Sequence, residues 1–96
     1  ALPADAYRFA VDFAGGALGE VRDPDAPVLG DVTVAGGKVL EQYVEYLRAV
    51  GRWRLVFVAR PEGEAGMEMR AFLRRGDQTL SETWSYHLHL VNSLTP

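Results

Sequence analysis

Cysteine is absent from the 96 residues. Disulfide staples and thiolate metal sites are therefore excluded, and a packed core must hold the fold. The compartment stays open, because proteins of oxidising compartments also occur without cysteine. Positive charge is in the minority: ten Lys and Arg against thirteen Asp and Glu give a net charge of −3. With those ten cations scattered, the electrostatic footprint of a nucleic-acid binder is missing. No apolar run approaches the ~20 residues of a membrane-spanning helix, and no signal-peptide apolar segment is present, so membrane insertion is not expected. Histidine occurs only twice, at His87 and His89.

What is present suits one ordinary globular domain, residues 1–96: 48% of residues are hydrophobic and 24% charged. A chain of this length buries roughly 60–65% of its unfolded surface, enough for one core. It opens Ala1-Leu2-Pro3 rather than with Met, and the expectation is a processed or excised piece of something longer.

The strongest pattern runs from Met67 to Tyr86. Gly76-Asp77 is a two-residue turn signal between two alternating arms. A turn there makes paired residue numbers sum to 153, so Leu73 faces Leu80, Met69 faces Trp84 and Met67 faces Tyr86 on one apolar side. Arg74/Thr79, Arg70/Thr83 and Glu68/Ser85 fall on the other, and only Ala71 opposite Glu82 breaks the rule. Leu88 and Leu90 extend the apolar face. Tyr7–Phe13 alternates strictly, with Tyr7, Phe9, Val11 and Phe13 on one side. Ala17–Pro27 reads as a polar loop, and Val28–Val34 as a strand with a bulge at Gly30. Gly36-Gly37 predicts a hairpin pairing Val34 with Val39. The following segment, Lys38–Leu47, is ambiguous: Val39, Leu40, Tyr43, Val44 and Leu47 recur at helical spacing, yet a Gly-Gly turn favours strands on both sides. It is read as a strand whose parity a bulge repairs. Arg52–Arg60 turns Trp53, Leu55, Phe57 and Ala59 to the core, with Arg52, Arg54 and Arg60 opposite beside Val56 and Val58. Pro61–Gly66 is a turn-rich loop carrying Glu62 and Glu64. Six to seven short antiparallel strands with turns between them predict an all-β, immunoglobulin-like sandwich.

The chemistry-bearing residues each have a plain structural explanation. His87 and His89 share a strand face and could begin a metal site, but the sequence implies no third ligand. Glu82 on an apolar face could be a general acid, though neither a second group nor a cleft accompanies it. Arg75-Gly76-Asp77 spells an adhesion tripeptide and is also what a tight turn requires. Trp53, Trp84, Tyr43, Tyr46 and Tyr86 could stack on sugars, but both tryptophans sit on core-facing positions, and Tyr43 and Tyr46 lie on opposite faces. Gly15-Gly16 and Gly36-Gly37 do not open helices as phosphate loops do. No catalytic residue, cofactor-binding residue or metal ligand is assigned.

Three blocks carry a family resemblance: Arg8-Phe9-Ala10-Val11-Asp12-Phe13-Ala14-Gly15-Gly16, Trp53-Arg54-Leu55, and Met69-Arg70-Ala71-Phe72-Leu73-Arg74 through Ser81-Glu82-Thr83-Trp84-Ser85-Tyr86. In this order they resemble the C-terminal end of the MdoG-type (OpgG/OpgD) periplasmic glucan biosynthesis proteins of Gram-negative bacteria. The resemblance implies a small C-terminal immunoglobulin-like domain following a large β-sandwich that holds the glycan cleft and the acidic catalytic residues. It implies periplasmic localisation and a role in making osmoregulated β-glucans. The resulting expectation is a non-catalytic accessory domain without cofactor. Its partners would be the N-terminal β-sandwich domain of the same parent chain, the glucan-synthesis machinery or β-glucan itself. The surface proposed for contact is Arg52, Arg54 and Arg60 with Glu62 and Glu64. A β-glucan-binding module and a small glycoside hydrolase are the alternatives.

Overall fold

Alternation sets the strands, and the few double-sided apolar runs set their order. The structure, a computed structural model, describes residues 5–89. In chain order the strands are β1 (Tyr7–Phe13), β2 (Leu29–Ala35), β3 (Gly37–Leu47), β4 (Arg52–Pro61), β5 (Met67–Arg75), β6 (Gln78–Thr79) and β7 (Trp84–Leu88), with a 3-10 turn at Gly16–Glu20. One sheet has the order β1-β4-β3; the other has β2 on one side of β5 and both β6 and β7 on its other side. Every pairing is antiparallel. The inner faces of the two sheets share one core, built around Leu55, Phe57, Met67, Met69 and Leu73. The architecture is the expected β-sandwich.

β4 is apolar on both faces because it lies in the middle of its sheet. Trp53, Leu55, Phe57 and Ala59 face the core as the alternation predicts, and Val56 and Val58 are also buried, at 2% and 1% exposure. On the outer face the register sets Ala10 and Tyr43 beside Val56, and Arg8 and Glu41 beside Val58. Arg8 Nη2 donates a 3.1 Å hydrogen bond to the Tyr43 hydroxyl, so two long side chains meet across this valine patch.

The expected hairpin at Gly36-Gly37 does not form. β2 and β3 lie in different sheets, so Val34 pairs with Met69 and Val39 with Ala59. Gly36 instead turns the chain from one sheet to the other at φ +84°, and a Cβ there would stand 2.5 Å from the Gly66 carbonyl oxygen. Two glycines can signal a corner as readily as a turn. β3 is a strand, and its bulge falls between Val39 and Glu41, against β4 rather than β2. Gly30 is not a bulge: the register of β2 with β5 runs through it unbroken. Its lack of a side chain admits Leu55, whose Cδ1 would lie 2.5 Å from a Cβ at this position. Beside it, Gln42 Nε2 donates to the Gly30 carbonyl at 2.9 Å, tying the two sheets together along this side.

Ala17–Pro27 is more than a loop. Leu18, on the 3-10 turn, is 1% exposed, and Val21 and Val28 join the same core. The Val21 carbonyl accepts the buried Trp53 indole N–H at 3.0 Å, which satisfies the one polar atom of that ring. Leu18 and Val21, set among Gly, Glu, Asp and Pro, leave no strand alternation to read. The tail beyond residue 89, including Leu90, lies outside the described residues.

Leu18→Ala is expected to cost about 3 kcal/mol, the scale of a buried leucine truncation. Leu29→Ala, at a position 49% exposed, should stay within about 0.5 kcal/mol. Urea denaturation of the two variants measures both, and equal losses would show that the 3-10 turn does not contribute to the core.

Candidate functional site

The hairpin turn at Gly76-Asp77 forms as the sequence predicts, with Arg74 opposite Thr79. The return arm then slips. Paired numbers sum to 153 at the turn (74 with 79) but to 155 along β7 (69 with 86), because two extra residues lie between β6 and β7. A shift of two keeps every side chain on its predicted face. It changes partners, however: Ala71 faces Trp84, Met69 faces Tyr86 and Met67 faces Leu88. The small Ala71 therefore makes room for an indole, not for a carboxylate. The slip is anchored by Ser81, whose hydroxyl accepts the Leu73 backbone N–H at 2.8 Å and donates to the Glu82 carbonyl at 2.9 Å. Glu82 is correspondingly exposed rather than on the apolar face. The burial on which a general-acid role rested is absent.

The two long sides of the sandwich differ. Along β2 and β3 the Gly36 corner and the Gln42 amide close the gap between sheets. Along β1 and β7, the opposite side, aromatic rings make the contact. Phe9 stacks on Phe57 at 5.0 Å and lies 6.4 Å from both Trp84 and Tyr86, while Trp84 meets Phe57 edge-on at 6.0 Å. Trp84 and Tyr86 run nearly parallel, 16° apart at 6.0 Å. Trp84 packs against the core from its core-facing position, as expected, but is only half-buried. Tyr86 and Tyr7 are 50% and 41% exposed although both stand on inward-facing positions. Trp53 is 3% exposed, with Tyr46 packed against it at 5.0 Å, and Tyr43 points outward, as the alternation predicts. Where this open side nears β6, Val11–Ala14 and Ser81–Trp84 line a cleft of about 250 Å³.

Arg52, Arg54 and Arg60 do share the outer face of β4, but they do not make one free basic patch. Arg52 and Arg60 stand eight residues apart in the strand, roughly 27 Å at the rise of a strand. Arg54 is committed to Asp12, with Nε and Nη2 donating to its two carboxylate oxygens at 2.7 and 3.1 Å. Those hydrogen bonds hold the Asp12 carboxyl below its ordinary value against the opposing effect of burial, with the charges of Arg54 and then Arg52 adding to the lowering. The same pairing raises Arg54. Glu62 and Glu64 are exposed in the loop after β4, where the Glu62 backbone N–H donates to the Gly36 carbonyl at 3.0 Å.

His87 and His89 lie ring to ring at 4.2 Å, and His87 Nδ1 is 3.4 Å from a Glu68 carboxylate oxygen on the next strand. Even so, no group of three His, Asp or Glu side chains is placed to hold a metal ion among the described residues.

The three blocks that carry the resemblance fall on β1, on the start of the central strand β4, and on β5 with the Ser81–Tyr86 return. Comparison with known sequences agrees. The sequence model of the family described as "Periplasmic glucan biosynthesis protein, MdoG" matches residues 2–88. The chain belongs to this family. It is also 36% identical over 88 residues to glucans biosynthesis protein G of Dickeya dadantii (strain 3937), an alignment covering 90% of the chain. The chain spans 17% of the length of that relative.

The Asp12–Arg54 pair yields a pH signature. A carboxyl lowered by folding stabilises the fold above its unfolded value near pH 4 and loses that contribution as pH falls through the lowered value. Asp12→Asn should therefore lower the urea midpoint slightly at pH 7, and the gap from the parent protein should close in strong acid. Because the pair is exposed, high salt at pH 7 should shrink the gap as well. A gap indifferent to both pH and salt would show that the pair does not act through charge.

Proposed function

We propose that this chain is a non-catalytic accessory domain of a larger periplasmic glucan biosynthesis protein, and that it works by contact rather than chemistry. Its partner on this reading is the N-terminal β-sandwich domain of the same parent chain or a component of the glucan-synthesis machinery. The observation that carries the proposal is the open β1/β7 side. Edge strands expose unpaired backbone groups, and natural sandwiches cover or charge such edges. Here two edges run side by side with Tyr7 and Tyr86, inward-facing by alternation, left 41% and 50% exposed. Aromatic residues with polar tips are the type enriched where one protein surface meets another. The short span of the chain against its relative supplies the rest of a protein to cover that edge. The periplasmic location follows from the family description. No helix among the described residues is long and apolar enough to cross a membrane.

A second reading, a carbohydrate-binding module for β-glucan, is favoured by one observation: Trp84 and Tyr86 present nearly parallel rings on that same side.

Hydrogen–deuterium exchange distinguishes a covered edge from a free one. Amides of β1 and β7 should exchange more slowly in the full-length parent than in this chain alone, while those of the outer edge of β3 should not change. Equal exchange at β1 and β7 in both would refute the contact. Release of reducing ends from β-glucan by the chain alone should match buffer, and any turnover lost in Glu82→Gln would show that the domain is a hydrolase.

A further inference from the structure

We propose that His87 and His89 form a two-imidazole site for a divalent copper ion on the outer side of β7, with Glu68 of the neighbouring strand fixing the tautomer of His87. The proposal goes beyond the contact role and does not rest on it. Both histidines alternate with Tyr86 and Leu88, so they stand on the face turned away from the core.

Spacing is the first argument. Residues two apart on a strand project to the same side, and here the two ring centres lie 4.2 Å apart. A metal ion about 2.0 Å from an imidazole nitrogen lies about 3.2 Å from the ring centre. Two imidazoles on neighbouring corners of a square or an octahedron, about 90° apart, therefore have centres about 4.5 Å apart. At the tetrahedral angle that zinc takes, the separation is about 5.2 Å. The observed distance falls near the first and well short of the second. A tetragonal ion is thus the better match, and Cu(II) binds nitrogen donors most tightly among the first-row divalent metals. No group of three His, Asp or Glu side chains is placed to hold a metal among the described residues, so the other coordination positions stay with water.

The carboxylate beside His87 is the second argument. An ionised carboxylate only accepts hydrogen bonds, so His87 Nδ1, 3.4 Å from Glu68 Oε1, is the nitrogen that carries the hydrogen. The lone pair is then left on Nε2, where a metal can take it. A ligating histidine commonly gives its other N–H to a carboxylate in this way. Access is the third argument. Both histidines are exposed. Ala35 flanks Glu68 on its far side, and Gly66, which has no side chain, lies against the His89 backbone. Arg70, the cation that follows Glu68 on this face, stands opposite Ser85, one ladder row further from His89.

The test is a titration of the chain with Cu(II), Ni(II) and Zn(II) at neutral pH, read by calorimetry and, for copper, by pulsed electron paramagnetic resonance. A single Cu(II) should bind with nitrogen couplings from both imidazoles, and Ni(II) and Zn(II) should bind more weakly. His87→Ala and His89→Ala should each remove one imidazole coupling. Glu68→Gln should keep both couplings and weaken binding at least about tenfold, the scale of an outer partner of a ligating histidine. All three positions are exposed, so the metal-free thermal midpoints should hold. A double variant, His87→Ala with His89→Ala, measures copper held elsewhere on the chain. Binding to that double variant as tight as to the unaltered chain would overturn the site, as would a copper spectrum of the unaltered chain with fewer than two imidazoles. Zn(II) bound as tightly as Cu(II) would overturn the tetragonal geometry. An affinity that Glu68→Gln leaves intact would overturn the orienting role of Glu68.

Discussion

A run of five residues from Leu55 to Ala59, buried on both faces, needs a strand on each side and a cover above and below. The rest of the sandwich answers that demand. β1 and β3 supply the flanking ladders, the second sheet covers the inner face, and the outer face is closed by ordinary surface residues. Arg8 and Tyr43 meet across Val56 and Val58 from opposite neighbouring strands. Arg54, one position along, is neutralised by Asp12. The outer face of this sheet thus covers two valines with Arg8 and Tyr43, and beside them Arg54 is engaged by Asp12.

How much of this was legible in the residues depends on how local the cause is. β1, β4, β5 and the turn at Gly76 follow from alternation and one dipeptide, and the structure has them at nearly the expected bounds. Faces survived even where pairing did not, since a shift of two leaves side chains on the same side. Partners were lost where a single side chain rewrote the ladder. The Ser81 hydroxyl takes the N–H that a continuing strand would have taken with its carbonyl, and nothing in the pattern of apolar residues records that. Gly36-Gly37 was misread for a related reason. Two glycines state that the chain bends sharply, but whether it returns in the same sheet or crosses to the other depends on what lies opposite, here Gly66 and β4. Leu18 and Val21 stand outside any strand alternation, and only their burial shows that they are core residues.

The exposed aromatic side was harder to see. Alternation tells inside from outside on a central strand but not on an edge. Tyr7 and Tyr86 both occupy inward positions and are nonetheless exposed, because β1 and β7 end their sheets on the same side. Strand order puts them there, and strand order is not a local property: β4 falls between β1 and β3, and β5 between β2 and β7. The family resemblance carried that information without displaying it. Its three blocks are scattered in sequence and fall on β1, β4, β5 and the Ser81–Tyr86 return.

Closure of the two sides by different means has a consequence for what each can do. The β2/β3 side is joined by the chain itself at Gly36 and by a hydrogen bond from Gln42, so opening it would strain backbone. The β1/β7 side is joined by rings at 5.0 to 6.4 Å, contacts that can slide and re-form with little cost in geometry. Dispersion between aromatic faces is tolerant of offset, unlike a hydrogen bond. A surface that must accept a partner, whether a protein edge or a sugar ring, is better placed where rings already half-fill the gap. The core-facing rings Phe9 and Phe57 maintain the fold, while Trp84 and Tyr86 at the rim retain free area. The exposed rings on this side are therefore an outward extension of the core.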